Sequence, residues 1–278
     1  MKRVVFFISV LAVCSAMYCF SSSKQSVHDP NDTIGINDTI PSVFTSIVGL
    51  EIPEIKPNEK IVLHTGFSLV YNDGHKQADW VAYMLCKKRT IKVCERPNMK
   101  FKVDPAVKTG TATHEDYTNS KHDRGHLAPC RDMQWSCETT LESFFMSNIS
   151  PQVPNFNRGV WEKLEDLVRD WAIEYDTLYI VTGPVLKKEI IGVIGDKTKI
   201  SVPKYYYKVI LNYTSNRIKG IGFIMPNEAS NKPLQYYAVS IDSVQRFTGI
   251  NFYNKLPNTL EKQVESSLCV SCWIWSKK

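Results

Sequence analysis

The sequence predicts an α+β domain built on a mainly antiparallel central sheet flanked by helices, and three observations carry that prediction. The β-branched and aromatic runs "DTLYIVTGP", "KYYYKVILNY" and "RIKGIGFIMPN" lie in one stretch of the chain, and the short "TSN" between the last two marks an antiparallel hairpin. In "NRGVWEKLEDLVRDWAIEY", Asn157–Tyr175, the residues Trp161, Leu164, Val168, Trp171, Ala172 and Tyr175 recur at spacings of three and four. They form the apolar stripe of an amphipathic helix. Strands in neighbouring runs with helices inserted among them give an α+β arrangement and a single domain.

The elements follow in order from the N-terminus. "MKRVVFFISVLAVCSAMYCF" has Lys2 and Arg3, an uncharged apolar run and then the polar "SSSKQ", the layout of a secretory signal peptide over residues 1–20. A membrane anchor is the competing reading, but Val4–Val13 is short against the ~20 residues of a span. Cleavage is expected near Ala16–Ser22, with Cys14 as a lipoprotein cysteine the alternative. Residues 21–58, rich in Ser, Asp, Asn, Thr and Pro, read as an irregular arm, and residues 59–278 as the folded domain. Two strands, "IVLHTGFSLVYN" and "DWVAYMLCKKR", are separated by the turn-rich "NDGHKQA". Val93–Ser120 is polar and loop-like. "VSIDSVQRFTGI", closed by Gly249, and "TLEKQVESSL" read as late helices.

Composition sets limits on function. An apolar fraction of 43% and a charged fraction of 22% in 278 residues exclude disorder and collagen, and no repeat is long enough to build a solenoid. The formal charge of +6 suits an anionic partner. Of the eight cysteines, Cys14 and Cys19 fall in the leader, and in an exported chain the remaining six favour disulfides, with Cys86–Cys94 and Cys130–Cys137 each close enough in sequence to close a short loop. A zinc site is the weaker alternative, because Cys269-Val-Ser-Cys272 has no second CxxC to match it.

The chemistry concentrates in "DRGH". Histidine accepts a proton near neutral pH, so His126 is a candidate general base. Arg124 lies two residues earlier, and in an extended segment both side chains project to one side. A guanidinium beside a base can hold a phosphate while water is activated. Asp123 alternates to the other side, where it supports a neighbour rather than touching substrate. Farther on, Asn157 and Glu165 are about 12 Å apart along an ideal helix. From the pattern alone, Asn157 reads as an N-cap and Glu165 as an exposed residue paired with Arg169. A magnesium site that keeps most of its waters is the competing reading.

"YTNSKHDRGHLAP", "SFFMSNISPQ" and "NRGVWEKLE", in that order, resemble the DNA/RNA non-specific endonuclease family, whose site is a ββα-metal (His-Me finger) motif. The resemblance runs from about Ile61 to about Leu256. It implies His126 as general base, Arg124 on phosphate, Asn157 as the direct Mg²⁺ ligand and Glu165 holding a metal-bound water. Asn155 competes with Asn157, but "GVW" follows Asn157 in the matching register. Arg96 and Arg169 are implied as further catalytic or substrate-binding arginines, with Arg89 competing for the place of Arg96. Mn²⁺ or another divalent cation is the implied substitute for Mg²⁺. The implied partners are DNA and RNA, with no stable protein partner; some relatives form homodimers, and membrane attachment would require a lipid anchor. The implied reaction yields 5′-phosphate products from an exported enzyme. Rival readings are a non-cutting nucleic-acid binder and a phosphodiesterase for small esters. The sequon at Asn148 reads as fortuitous, because a glycan there would crowd the site.

Overall fold

A computed structural model of the protein describes residues 46–96, 99–214 and 217–275, so the leader and most of the arm lie outside the described residues. The strands are β1 (Ile61–Leu63), β2 (Ser68–Asn72), β3 (Gln77–Cys86), β4 (Asp123–His126), β5 (Ile149–Gln152), β6 (Thr177–Pro184), β7 (Ile190–Ile194), β8 (Ile200–Pro203), β9 (Tyr205–Thr214), β10 (Arg217–Pro226) and β11 (Ala238–Val239). The helices are α1 (Cys137–Ser143), α2 (Glu162–Tyr175), α3 (Ile241–Thr248) and α4 (Asn258–Ser266). Seven strands form one sheet in the order β1-β2-β3-β6-β9-β10-β11, and every neighbouring pair is antiparallel. The predicted β9–β10 hairpin is present, with Arg217 opposite Thr214. "IVLHTGFSLVYN" is two strands rather than one, because His64 N–H donates to Phe67 O and folds the run into a hairpin.

The two faces of the sheet are covered differently, and β10 shows why. Ile221, Phe223 and Met225 point into the core beneath α2, where they meet Leu164, Val168, Trp171 and Ala172. Each such fully buried side chain contributes about 1.5–3 kcal/mol. The alternating Gly220 and Gly222 point to the opposite face. A Cβ at Gly220 would stand 2.5 Å from Ile241 of α3, and one at Gly222 would stand 2.5 Å from Val244. The glycines therefore let α3 lie directly on the strand. Ser240 caps α3, and Gly249, at φ 72°, ends it where the sequence predicts.

The predicted amphipathic helix is regular only from Glu162. Its first turn, Phe156–Trp161, is wound as a π-helix, and Gly159 departs from helical geometry at φ −120°, ψ −111°. β4 and β5 form a separate two-stranded antiparallel sheet, in which His126 pairs with Ile149 and Asp123 with Gln152. Tyr206 Oη in β9 donates to Pro151 O at 2.7 Å, which ties that pair to the main sheet.

The disulfide expectations need correction. Cys94 pairs with Cys137, Cys269 pairs with Cys272, and Cys130 is free and buried. Backbone N–H groups of Val93 and Cys94 both donate to Gln134 O, and Gln134 Nε2 donates to Cys94 O. That clamp brings Cys94 to the start of α1, so neither Cys86–Cys94 nor Cys130–Cys137 forms.

Candidate active site

The DRGH segment is the strand β4, so Arg124 and His126 do project to one side, with Gly125 between them. A Cβ on Gly125 would stand 2.2 Å from the Gln152 side-chain amide, which packs flat against the strand. Beyond His126 the chain is held by Asn148. Its Oδ1 accepts from Ala128 N–H at 2.8 Å, and its Nδ2 donates to the Ala128 and Ser143 carbonyls. Asn148 is wholly buried, leaving no room for a glycan.

His126 sits between two aromatic rings, with Phe101 at 5.6 Å and Phe144 edge-on at 5.1 Å. Its Nε2 is shielded and has no hydrogen-bond partner. Burial first, and then the nearby Arg96, push its pKa down to about 3, so the free ring stays neutral. Arg96 lies over Phe144, its Cζ 5.4 Å from the ring centroid. Arg89 is instead buried in the body of the fold, where it donates to Met84 O and stacks on Trp135. Of the two competing arginines, Arg96 stands beside the histidine. Arg124 Nη2 donates to His114 O at 2.6 Å and to Thr118 Oγ1, while its Nε is shielded and unpartnered.

Asn157 is not a helix cap. Its Nδ2 donates to Asp123 Oδ2 at 2.9 Å, and Arg158 donates to both oxygens of the same carboxylate. Asp123 thus has the supporting role expected of it, and the π-wound turn is the geometry that brings Asn157 and Arg158 to it together. With Nδ2 committed, Oδ1 of Asn157 is the end left for a ligand. Asn155 is exposed and precedes this turn.

Glu165 does not pair with Arg169. Arg169 is buried, donating to Asp132 Oδ1 at 2.7 Å and to Asp166. Asp132 also accepts from Tyr83 Oη at 2.8 Å. Burial pulls the Arg169 pKa down, but Asp132 and Glu165 more than offset that and raise it. Lys208 is wholly buried with its Nζ unpartnered, 4.8 Å from the Trp161 ring centroid. Burial raises the Glu165 pKa and lowers that of Lys208, and their mutual attraction opposes both shifts.

Sequence reasoning missed Lys208, Asp132, Phe101 and His64. A signal for Lys208 was present: it sits in a strand whose neighbours on both faces are apolar. His64 anchors the loop that carries Phe101. Its Nε2 bonds Asp104 Oδ2 at 2.9 Å, and Ser147 Oγ donates to the same oxygen. Lys102 N–H donates to Phe144 O, and Met146 N–H to Lys102 O, which stitches the loop beside His126.

Burial alone would lower the His64 pKa, but Asp104 and Glu142 raise it to about 9. A value raised above the ordinary 6.5 stabilises the fold fully below pH 6.5, and that contribution is lost as pH climbs toward 9. The loss should be on the order of 3 kcal/mol. Urea titrations at several pH values should show stability falling across this window in the wild type and a flatter profile in His64→Asn. A wild-type profile as flat as the variant's would contradict the assignment.

Among the described residues no cluster of three or more His, Cys, Asp or Glu side chains forms a metal cage. The oxygen donors left open are Asn157 Oδ1 and Glu165, a sparse, hard set. That suits a strongly hydrated divalent cation such as Mg²⁺ rather than zinc.

Comparison with known proteins identifies the family. The sequence profile of the DNA/RNA non-specific endonuclease family matches residues 53–259. The mitochondrial nuclease EXOG of Danio rerio is 33% identical over 221 residues, 74% of this chain and 63% of that protein, so the chain spans less than two thirds of that relative. A nuclease of a Nostoc species is 30% identical over 93% of this chain and 96% of its own. The fold is similar to endonuclease G in a crystal structure of the EndoG/EndoGI complex, with a TM-score of 0.68, 27% identity, and coverage of 75% of this chain and 90% of that one. With the family profile spanning most of the folded domain, the chain belongs to the DNA/RNA non-specific endonuclease family.

Proposed function

We propose that this protein is an exported, Mg²⁺-dependent, sugar-non-specific endonuclease that hydrolyses DNA and RNA to products with 5′-phosphates. The observation that carries the proposal is one juxtaposition. The unpartnered Nε2 of His126 shares a strand with Arg124, and Asp123 on that strand fixes the amide of Asn157.

Asn157 would hold the cation directly through Oδ1, and Glu165 through a water. The bound cation supplies charge neutralisation at the scissile phosphate. Every other contribution comes from the chain. The His126 imidazole takes the proton from the attacking water. Arg124 and Arg96 hold the phosphate and the charge that builds on it. Because Arg96 is one of the two causes depressing His126, an anion bound at Arg96 offsets it and strengthens the base as substrate arrives. Arg169, with both amino groups engaged, acts as a positioning residue that steadies Asp132 and the field around Glu165 rather than as a direct phosphate contact. Contacts to phosphate carry no base information, and a water nucleophile requires no ribose 2′-hydroxyl, so both polymers serve.

Export rests on the apolar leader and accords with the Cys94–Cys137 and Cys269–Cys272 disulfides, which suit an oxidising compartment. Among the described residues no helix is long and apolar enough to cross a membrane.

End-group analysis tests the chemistry. Fragments from a digest with Mg²⁺ should be ligatable without kinase treatment, as 5′-phosphates and 3′-hydroxyls require. Fragments that need kinase before ligation would overturn the assigned direction of cleavage.

A further inference from the structure

We propose that Lys121, beside Arg124, forms a second phosphate subsite, which takes a backbone phosphate of the substrate strand next to the one that Arg124 holds. The inference rests on the nuclease reading and extends it to residues outside the catalytic cluster. A cavity of about 460 Å³ opens on the outer side of β4, lined by His114, Tyr117, Lys121, His122, Asp123 and Arg124 among others, and His126 does not line it. It adjoins the candidate active site, and Arg124 and Asp123 are shared between them.

The charge of this cavity is one-sided. Among the described residues its only acidic lining residue is Asp123, whose carboxylate is already engaged by Asn157 and Arg158. Lys121 is exposed at the mouth. Arg124 lines the wall, where its Nη2 donates to His114 O. His122 Nδ1 donates to Ser120 O at 2.9 Å, which fixes the ring in the wall.

The backbone gives a second, independent indication. Lys121 sits at φ 64°, in the left-handed region that glycine occupies at little cost and other residues seldom adopt. A lysine held there against its backbone preference, with its ammonium on a cavity that contains an arginine, fits a residue used for its charge. A phosphodiester on Lys121 would lie beside the one that Arg124 holds, and the open mouth lets a continuous strand pass.

The test is anisotropy of a fluorescein-labelled 12-nucleotide single strand, with EDTA present so that nothing is cut. Lys121→Gly should bind about three- to tenfold more weakly at low salt, and its slope of log affinity against log salt should be shallower by about 0.7. Lys121→Arg should restore both. Because glycine relieves the left-handed strain, Lys121→Gly should melt no lower than wild type, which separates lost binding from lost folding. Unchanged affinity and slope in Lys121→Gly would overturn the subsite. Unchanged strand affinity in Lys121→Gly together with a lost affinity for inorganic phosphate would assign the site to free phosphate instead and overturn the strand contact. Plasmid cleavage with Mg²⁺ by the same wild-type preparation reports separately on the nuclease reading, so failure of one is distinguishable from failure of the other.

Discussion

Replacing His126 with alanine is expected to slow cleavage of both DNA and RNA by about 10²- to 10⁴-fold, the usual contribution of a positioned general base. The reason lies in the environment of the ring. Phe101 and Phe144 hold it, Nε2 is left without a partner, and burial with Arg96 nearby keeps it neutral. A neutral ring can accept a proton, whereas an imidazolium cannot. The variant loses no hydrogen bond at Nε2, so it should keep its fold and its affinity for a labelled strand. Its burial also has a signed consequence for stability. A histidine depressed to about 3 favours the folded state fully above pH 6.5, and that contribution fades as pH falls from 6.5 toward 3. His126→Ala should therefore show a weaker acid-side decline than wild type. Cleavage by a folded His126→Ala protein within threefold of the wild-type rate would place the base elsewhere.

The largest effect on stability is expected from Asp132→Ala, a loss of about 3–5 kcal/mol. Asp132 is 1% exposed and accepts from both Arg169 and Tyr83. Removing the carboxylate leaves a buried guanidinium facing Asp166 alone and a buried phenol without its acceptor. Urea denaturation should report the loss as a lower midpoint with an unchanged slope. Activity should also fall at temperatures where the variant remains folded, because Arg169 and Glu165 share that field. A loss below about 1 kcal/mol would mean that water reaches Arg169 and that the pair is not a structural anchor.

What was legible in the sequence follows from physics that a single segment reveals. The stripe from Trp161 to Tyr175 is visible because a 3.6-residue period needs no partner to be recognised, and α2 buries that face as expected. The β9–β10 hairpin is visible for the same reason, as is the extended geometry of DRGH. The π-wound turn is not visible locally, since its form goes with Asp123, 34 residues earlier, engaging Asn157 and Arg158 together. The bland reading of Asn157 as a cap and of Glu165 as a partner of Arg169 fails on this ground: tertiary acceptors outcompete the local ones. The disulfides fail for a related reason. Proximity in sequence favoured Cys130–Cys137, but Gln134 draws Cys94 across 43 residues to Cys137. Charged residues bound for the interior, Asp132 and Lys208, are hidden whenever polarity is equated with exposure.

The most direct test of the central claim is a digest of plasmid DNA and of a structured RNA by the purified protein, with Mg²⁺ or with EDTA. Both polymers should be cut internally with Mg²⁺, and EDTA should stop both reactions. Binding without cleavage under any divalent cation, or cleavage that continues undiminished in EDTA, would contradict that claim.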